Sequence, residues 1–222
     1  MTDAPASTRT MPPPARLRRA LSVLPNWLQH GLFTGLWVLI WAVLIAIPIL
    51  LYAGWIQIFG NIDTVVPNKV YRSATLSEAT LRSFVEAHGI RTVVNLRGES
   101  PGQAWYETER RLTSDMGIRQ IDLPMSAIRV PSSDLMARLI ETLKTAQTPM
   151  LIHCSSGSDR TGLASGLYLM IVDGVSPDIA KGQLSFYWGH FPWLGSPTIA
   201  MDRAFDQAVA AETARKKIKP QQ

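Results

Sequence analysis

The sequence predicts an α/β domain with a mainly parallel sheet flanked by helices, carried behind one N-terminal transmembrane helix. Three observations carry this reading. Short β-branched runs alternate with longer helical stretches after residue 65, the pattern of a parallel sheet covered on both faces. Ala20 to Ile62 contains no Asp, Glu, Lys or Arg. The chain has 222 residues, enough for one domain and an appendage.

The elements follow in order. Residues 1–26 are rich in Pro, Thr and Arg and read as a flexible basic tail. Residues 27–59 form the expected anchor, with its core at Leu32–Trp55. As a helix those core residues span ~36 Å, enough for a hydrocarbon layer of ~30 Å. Trp27 and Trp55 flank the run, where interfacial aromatics are favoured. A cleaved signal peptide has a shorter apolar region and a small-residue cleavage site, which this run lacks. Arg16, Arg18 and Arg19 precede the span, and Asp63 comes first after it. The positive-inside bias then expects a cytoplasmic N-terminus and an external domain, the periplasm in a bacterium. Gly31 and Gly35 form a GxxxG spacing that also arises by chance, so a homodimer through the span is the minor expectation.

A single domain is expected over residues 62–214. Val65–Tyr71 reads as a strand. Ser77 caps a helix to His88, closed by Gly89. Ile90–Leu96 is β-branched and reads as a buried strand. Gln103–Met116 reads as a helix, Ile118–Leu123 as a strand, and Ser132 or Ser133 starts a helix toward Ala146. Met150–His153 is a short apolar strand, followed by a helix over Thr161–Asp173. Pro177–Tyr187 and Pro197–Arg215 read as further helices. Residues 215–222 form a basic C-terminal tail.

The net charge of +5 belongs to the ends, since residues 60–211 hold 14 basic against 15 acidic side chains. A nucleic-acid binder needs a basic face on its folded domain, and none is expected here. One cysteine excludes an internal disulfide framework and a multi-cysteine zinc module.

That cysteine carries the chemistry. Leu151-Ile152-His153-Cys154 ends a strand, SSGSD follows, and Arg160-Thr161-Gly162 opens a helix. Amides and the dipole at a helix N-terminus favour an anion there. Ser155, Ser156, Gly157 and Ser158 are small enough for their backbone N–H groups to converge as an anion nest. Arg160 adds a planar fork suited to two phosphate oxygens. The same field favours a thiolate at Cys154, a nucleophile beside a phosphate cradle. Thr161 can offer its hydroxyl to the sulfur as the sulfur departs.

HCSSGSDRTG resembles the C-x5-R-[ST] signature of the cysteine-dependent protein tyrosine phosphatase superfamily, in the expected strand–loop–helix context. VYRSATLS (Val70–Ser77) and VVNLRGES (Val93–Ser100) are similar to its small dual-specificity branch, which includes fungal and plant inositol-pyrophosphate phosphatases. The resemblance covers about Pro67 to Trp193. The anchor and overall pattern also resemble bacterial membrane-anchored phosphatase homologues associated with the envelope and lipid A. This implies a tyrosine/dual-specificity phosphatase-like fold and a phosphocysteine formed at Cys154. It implies equatorial oxygens held by the amides of residues 155–160 and by Arg160, and a loop positioned by His153. No metal or organic cofactor is implied.

Two carboxylates are candidates for the general acid. Asp122 lies 32 residues before Cys154, about the spacing of the separate acid loop in many dual-specificity enzymes, yet it falls within a strand-like run. Asp159 lies inside the loop beside Arg160, where myotubularins and some bacterial phosphatases carry an Asp, and is preferred. Each has a plainer role open to it: Asp159 as a brace of the loop, Asp122 as a solvated strand-end charge. Lys69, Arg72 and Arg97 fall near strand ends and are candidates for a second phosphate or a head group, with ordinary surface charge the plainer role equally open to them. FYWGHFPWL (Phe186–Leu194) is dense in aromatics and is expected to pack on the core, with rimming the pocket or dipping into the bilayer surface as the alternatives. The expected partners are the lipid bilayer and a phosphorylated lipid or phosphoprotein substrate. The rival from another class is a catalytically silent phosphate-binding envelope protein.

Overall fold

The computed structural model describes residues 25–218. It divides into two compact units, one ending at Tyr52 and the other beginning at Ala53. The expected tail over residues 1–26 lies outside the described residues except for Pro25 and Asn26.

Helix α1 runs Asn26–Ile58 with Pro48 inside it. Its stretch Phe33–Ile58 is 26 residues long with a mean hydropathy of 2.6, and none of its most apolar window is buried. Apolar side chains lie on every side of it, so no polar stripe is left for water. By length and composition it is the one helix among the described residues able to cross a membrane.

The second unit is built on a five-stranded sheet of order β1-β2-β5-β3-β4. Strand β1 (Asp63–Val66) pairs antiparallel with β2 (Val70–Ser73). The single strand expected over Val65–Tyr71 is therefore two. Pro67 and Asn68 interrupt it, with Asn68 at φ 59°, and Lys69 N–H closes the turn on Val66 O at 3.1 Å. Strands β3 (Thr92–Asn95), β4 (Arg119–Asp122) and β5 (Met150–His153) run parallel to β2. Ser73 pairs with His153, His153 with Asn95, and Asn95 with Asp122, so all four parallel strands end level. Ligands in such sheets gather beyond that edge.

Alternation along β5 sorts the two layers. Met150 and Ile152 face helices α4 (Ser133–Thr145), α5 (Asp159–Ile171) and α7 (Ile199–Ile218), with Leu139, Leu163, Leu167, Met201 and Phe205 in that core. Leu151 and His153 face the other way. There Leu151 packs with Leu81 and Val85 of α2 (Glu78–His88) and Leu112 of α3 (Ala104–Asp115). The caps read from sequence hold: Ser77 Oγ accepts from Thr80 N–H, Gly89 closes α2 at φ 59°, and Ser132 Oγ accepts from Leu135 N–H.

Helix α5 is buried from Thr161 to Met170. A Cβ on Gly162 would stand 2.6 Å from Gln183 O, and one on Gly166 2.9 Å from Ala180 O, so both glycines permit close approach of the 177–183 segment. That segment is not the single helix expected over Pro177–Tyr187. It is a one-turn α6 (Pro177–Ala180) followed by 3-10 turns at Lys181–Gln183 and Phe186–Trp188. Helix α7 continues through Ile218, so the first residues of the expected C-terminal tail are helical, and residues 219–222 lie outside the described residues.

Candidate active site

Cys154 follows β5 directly and is 1% exposed. The next residues are held by their carbonyls. Thr75 Oγ1–H donates to Cys154 O at 3.0 Å and Thr75 N–H to Ser155 O at 3.3 Å. Asn61 Nδ2 donates to Ser156 O at 3.0 Å, and Arg72 Nη2 to Gly157 O at 2.7 Å. A trans peptide carries its N–H opposite its C=O. Carbonyls drawn outward at 154–157 therefore turn the N–H groups of Ser155, Ser156, Gly157 and Ser158 toward the opposite side, as an anion nest requires.

Gly157 makes the tightest part of that turn. Its φ is +73°, and a Cβ there would lie 2.7 Å from Ala74 N and 2.8 Å from Ser73 C, both backbone. Helix α5 starts at once, so its free N–H groups and dipole add to the loop. Arg160 Nη1 donates to Leu96 O at 3.4 Å and Met125 O at 3.2 Å. Arg160 Nε and Thr161 Oγ1 are buried polar atoms with no hydrogen-bond partner. Unpaired buried donors are costly, and a bound oxyanion and a thiolate are groups they could meet.

A strand-end cysteine, an amide nest and an arginine on the following helix are the parts of a cysteine-dependent phosphatase loop. The model of the tyrosine phosphatase family matches residues 59–182, more than half of the chain. This chain belongs to the tyrosine phosphatase family.

Within the family, the chain is 29% identical over 117 residues to the dual specificity protein phosphatase TpbA of Pseudomonas aeruginosa, covering 52% of this chain and 49% of that protein. It thus spans about half the length of the curated relatives it matches. Among solved structures, TpbA is similar at TM-score 0.51 and 23% identity, over 68% of this chain and 90% of that one. The core catalytic domain of the PP-IP phosphatase SIW14 from S. cerevisiae is similar at TM-score 0.52 and 22% identity, over 73% and 96%. At these identities the structural likeness shows the fold alone.

The two flanking arginines lie near the ends of β2 and β3 and are held by neighbouring segments. Arg72 is fully buried. Its Nη1 donates to Gln183 O at 3.2 Å and also to Gln183 Oε1, and its guanidinium lies 4.1 Å from the Trp188 ring. It supports the loop from behind. Burial pushes its pKa down to about 9, against the charges of Cys154 and Asp63. Arg97 is half-buried, its guanidinium stacked 3.4 Å from the Trp105 ring centroid, and its Nη1 donates to Thr75 Oγ1 at 2.9 Å. Burial first, and then the charge of Arg160, lowers its pKa.

His153 is buried with Nε2 3.1 Å from the Glu109 carboxylate, itself buried on α3. Asp122 ends β4 and accepts from three donors. Asn95 Nδ2 and Gln120 Nε2 reach Oδ1 at 2.6 and 3.2 Å, and Tyr106 O–H reaches Oδ2 at 3.0 Å. Burial first, then this bond and the Asp122 charge, push the Tyr106 phenol up to about 12. Asp159 Oδ1 lies 2.7 Å from Nδ1 of His190, whose Nε2 lies 2.8 Å from Asp202 Oδ2.

The aromatic segment divides. His190 is fully buried, whereas Tyr187, Trp193 and Leu194 are exposed. The sequence singled out His190 only as part of this segment. It gave no signal for Asn61, Glu109, Gln183 or Asp202, which lie outside the signature, and Thr75 was marked only as part of VYRSATLS. Among the described residues, no group of three or more His, Cys, Asp or Glu side chains is disposed to hold a metal ion.

Proposed function

We propose that the chain is a membrane-anchored, cysteine-dependent phosphatase that hydrolyses phosphate mono- or pyrophosphate esters of an envelope lipid, lipid A being the leading candidate. The observation that carries the chemistry is the pinned loop: four consecutive carbonyls, from Cys154 to Gly157, bonded to residues outside it. The Cys154 sulfur attacks phosphorus in line. The S–P bond forms as the P–O bond breaks, the loop amides and Arg160 hold the equatorial oxygens, and Asp159 protonates the leaving oxygen. Asp159 is preferred to Asp122 because it adjoins Arg160 at the start of α5, whereas the three bonds to Asp122 all come from donors. Water then displaces the sulfur and releases phosphate. Thr161 donates to the departing sulfur, and His153 fixes the strand end.

The lipid part of the reading is supported by chain length. The apolar stretch ends at Ile58 and β1 begins at Asp63, so a substrate phosphate in the same bilayer is held at high effective concentration. The charge asymmetry around the span supports a domain on the periplasmic side of the inner membrane of a bacterium.

The test is phosphate release by the full chain in mixed micelles, with lipid A and a phosphotyrosine peptide as substrates and Cys154→Ser alongside. Release from lipid A that is lost in Cys154→Ser is the expected result. Release from the peptide alone overturns the lipid assignment and leaves a dual-specificity protein phosphatase, the activity in TpbA's name. No Cys154-dependent release from either, with orthovanadate still bound, points to a silent phosphate-binding protein.

A further inference from the structure

One titratable cluster, centred on a buried histidine, adjoins the phosphate nest through Asp159. His190 has no exposed surface, and each ring nitrogen faces a carboxylate oxygen, Asp159 Oδ1 at 2.7 Å and Asp202 Oδ2 at 2.8 Å. Asp159 opens α5 beside Arg160, and Asp202 lies in the first turn of α7. Contacts this short between a ring nitrogen and a carboxylate oxygen each need a hydrogen, because facing lone pairs repel. A neutral imidazole has one N–H and satisfies one carboxylate. The second contact requires a second hydrogen, carried by the ring as imidazolium or by a carboxyl group. Burial disfavours the imidazolium, but the hydrogen bonds and charges of Asp159 and Asp202 outweigh it and raise the His190 pKa above its ordinary value. Those two aspartates, on α5 and α7, are the charged groups that face the ring.

We propose that His190, held by Asp202, is a positioning residue that stores the proton which Asp159 gives to the leaving oxygen. The inference rests on the phosphatase reading above. In the first half-reaction the Cys154 S–P bond forms, the P–O bond breaks, and the leaving oxygen takes the carboxyl proton of Asp159. That proton comes from His190 Nδ1, and the ring, now neutral, keeps Nε2–H on Asp202. In the second half-reaction a water oxygen bonds to phosphorus and the S–P pair returns to sulfur. The water proton passes through Asp159 back to Nδ1, so the cluster ends each cycle as it began. A brace between α5 and α7 would use the same two hydrogens, but it would not need the one on Nδ1 to leave the ring during turnover. The second carboxylate is what retains a labile hydrogen next to Asp159.

The test compares kcat/KM for phenyl phosphate, with a poor leaving group, and p-nitrophenyl phosphate, with a good one. It uses the full chain in detergent micelles, as wild type and as Asp159→Asn, His190→Asn and Asp202→Asn. The ratio of the two rates within one preparation does not depend on how much of the protein is folded. In His190→Asn the amide keeps an N–H near the position of Nδ1 but holds no labile proton. The expected result is a phenyl-to-nitrophenyl ratio lower by about 10- to 100-fold in His190→Asn, at or below the lower end of the ~10²–10⁴ span of general acid catalysis, because Asp159 itself is kept. Asp159→Asn should lower it at least as far, and Asp202→Asn in the same direction. A ratio unchanged in His190→Asn and Asp202→Asn overturns the proposal, even if Asp159→Asn lowers it, and leaves His190 a brace. Absence of Cys154-dependent release from either ester in the wild type overturns the phosphatase reading, and the proposal with it.

Discussion

Arg72 Nη2 donates to Gly157 O at 2.7 Å, joining a fully buried guanidinium on β2 to the sharpest point of the loop that follows Cys154. The same side chain holds Gln183. A strand, the loop and the 177–183 segment are thus fixed by one planar group. Lysine cannot reproduce this, since its ammonium does not present a rigid fork.

Arg72→Lys is therefore expected to weaken oxyanion binding and lower kcat/KM together. A lost hydrogen bond from a charged donor is worth about 1.5–3 kcal/mol, or roughly 10- to 100-fold. Titration with orthovanadate beside steady-state kinetics checks this. Binding and turnover both at wild-type levels would remove Arg72 from loop support.

Gly157→Ala places a Cβ against the backbone of Ser73 and Ala74 and a side chain at φ +73°. Neither neighbour is a flexible side chain, so the loop itself must shift. Strain of this kind costs about 1–3 kcal/mol. The expected outcome is a lower urea midpoint together with loss of orthovanadate binding. A variant that keeps both would show that the loop tolerates another path.

Asp122→Asn puts an NH2 group where Asn95, Gln120 and Tyr106 all donate. Leaving a buried donor unpaired costs about 1–3 kcal/mol. Stability should fall in urea unfolding while the phenyl-to-nitrophenyl ratio stays at the wild-type value. A ratio that falls as far as in Asp159→Asn would return the acid to β4.

His190 sets a pH dependence of stability. Its folded pKa is raised above the ordinary 6.5 by Asp159 and Asp202, in spite of burial. A raised histidine contributes stability that is complete below the unfolded pKa and is lost as pH rises through the folded one. The wild type should therefore lose unfolding free energy as pH climbs above about 6.5, and His190→Asn should show a flatter profile over that window. Parallel profiles for the two proteins would contradict the raised pKa.

The sequence of residues 150–162 was sufficient for the reactive loop. A short apolar strand, small residues, an arginine and a helix start are local properties, and local sterics dictate where the backbone turns. The caps at Ser77, Gly89 and Ser132 were legible for the same reason. The apolar run was legible as well, because the length of a helix follows from its residue count. By contrast, the break at Pro67–Asn68 was hidden in a run that reads as one strand, and the 177–187 segment was too short for periodicity to separate α from 3-10 turns.

Only the tertiary structure decided what surrounds the loop. Asn61, Arg72 and Thr75 turn its carbonyls outward from up to 95 residues away. Arg72 looked like a surface cation at a strand end, and pairing of β2 beside β5 places it in the core instead. Asp159 was visible beside Arg160, but its bond to His190, and that of His190 to Asp202, depend on how α7 docks against α5. Hydrogen bonds between distant segments have no signature in local composition. They exist because packing of the two apolar layers brings those segments together, and the sequence by itself does not display that packing.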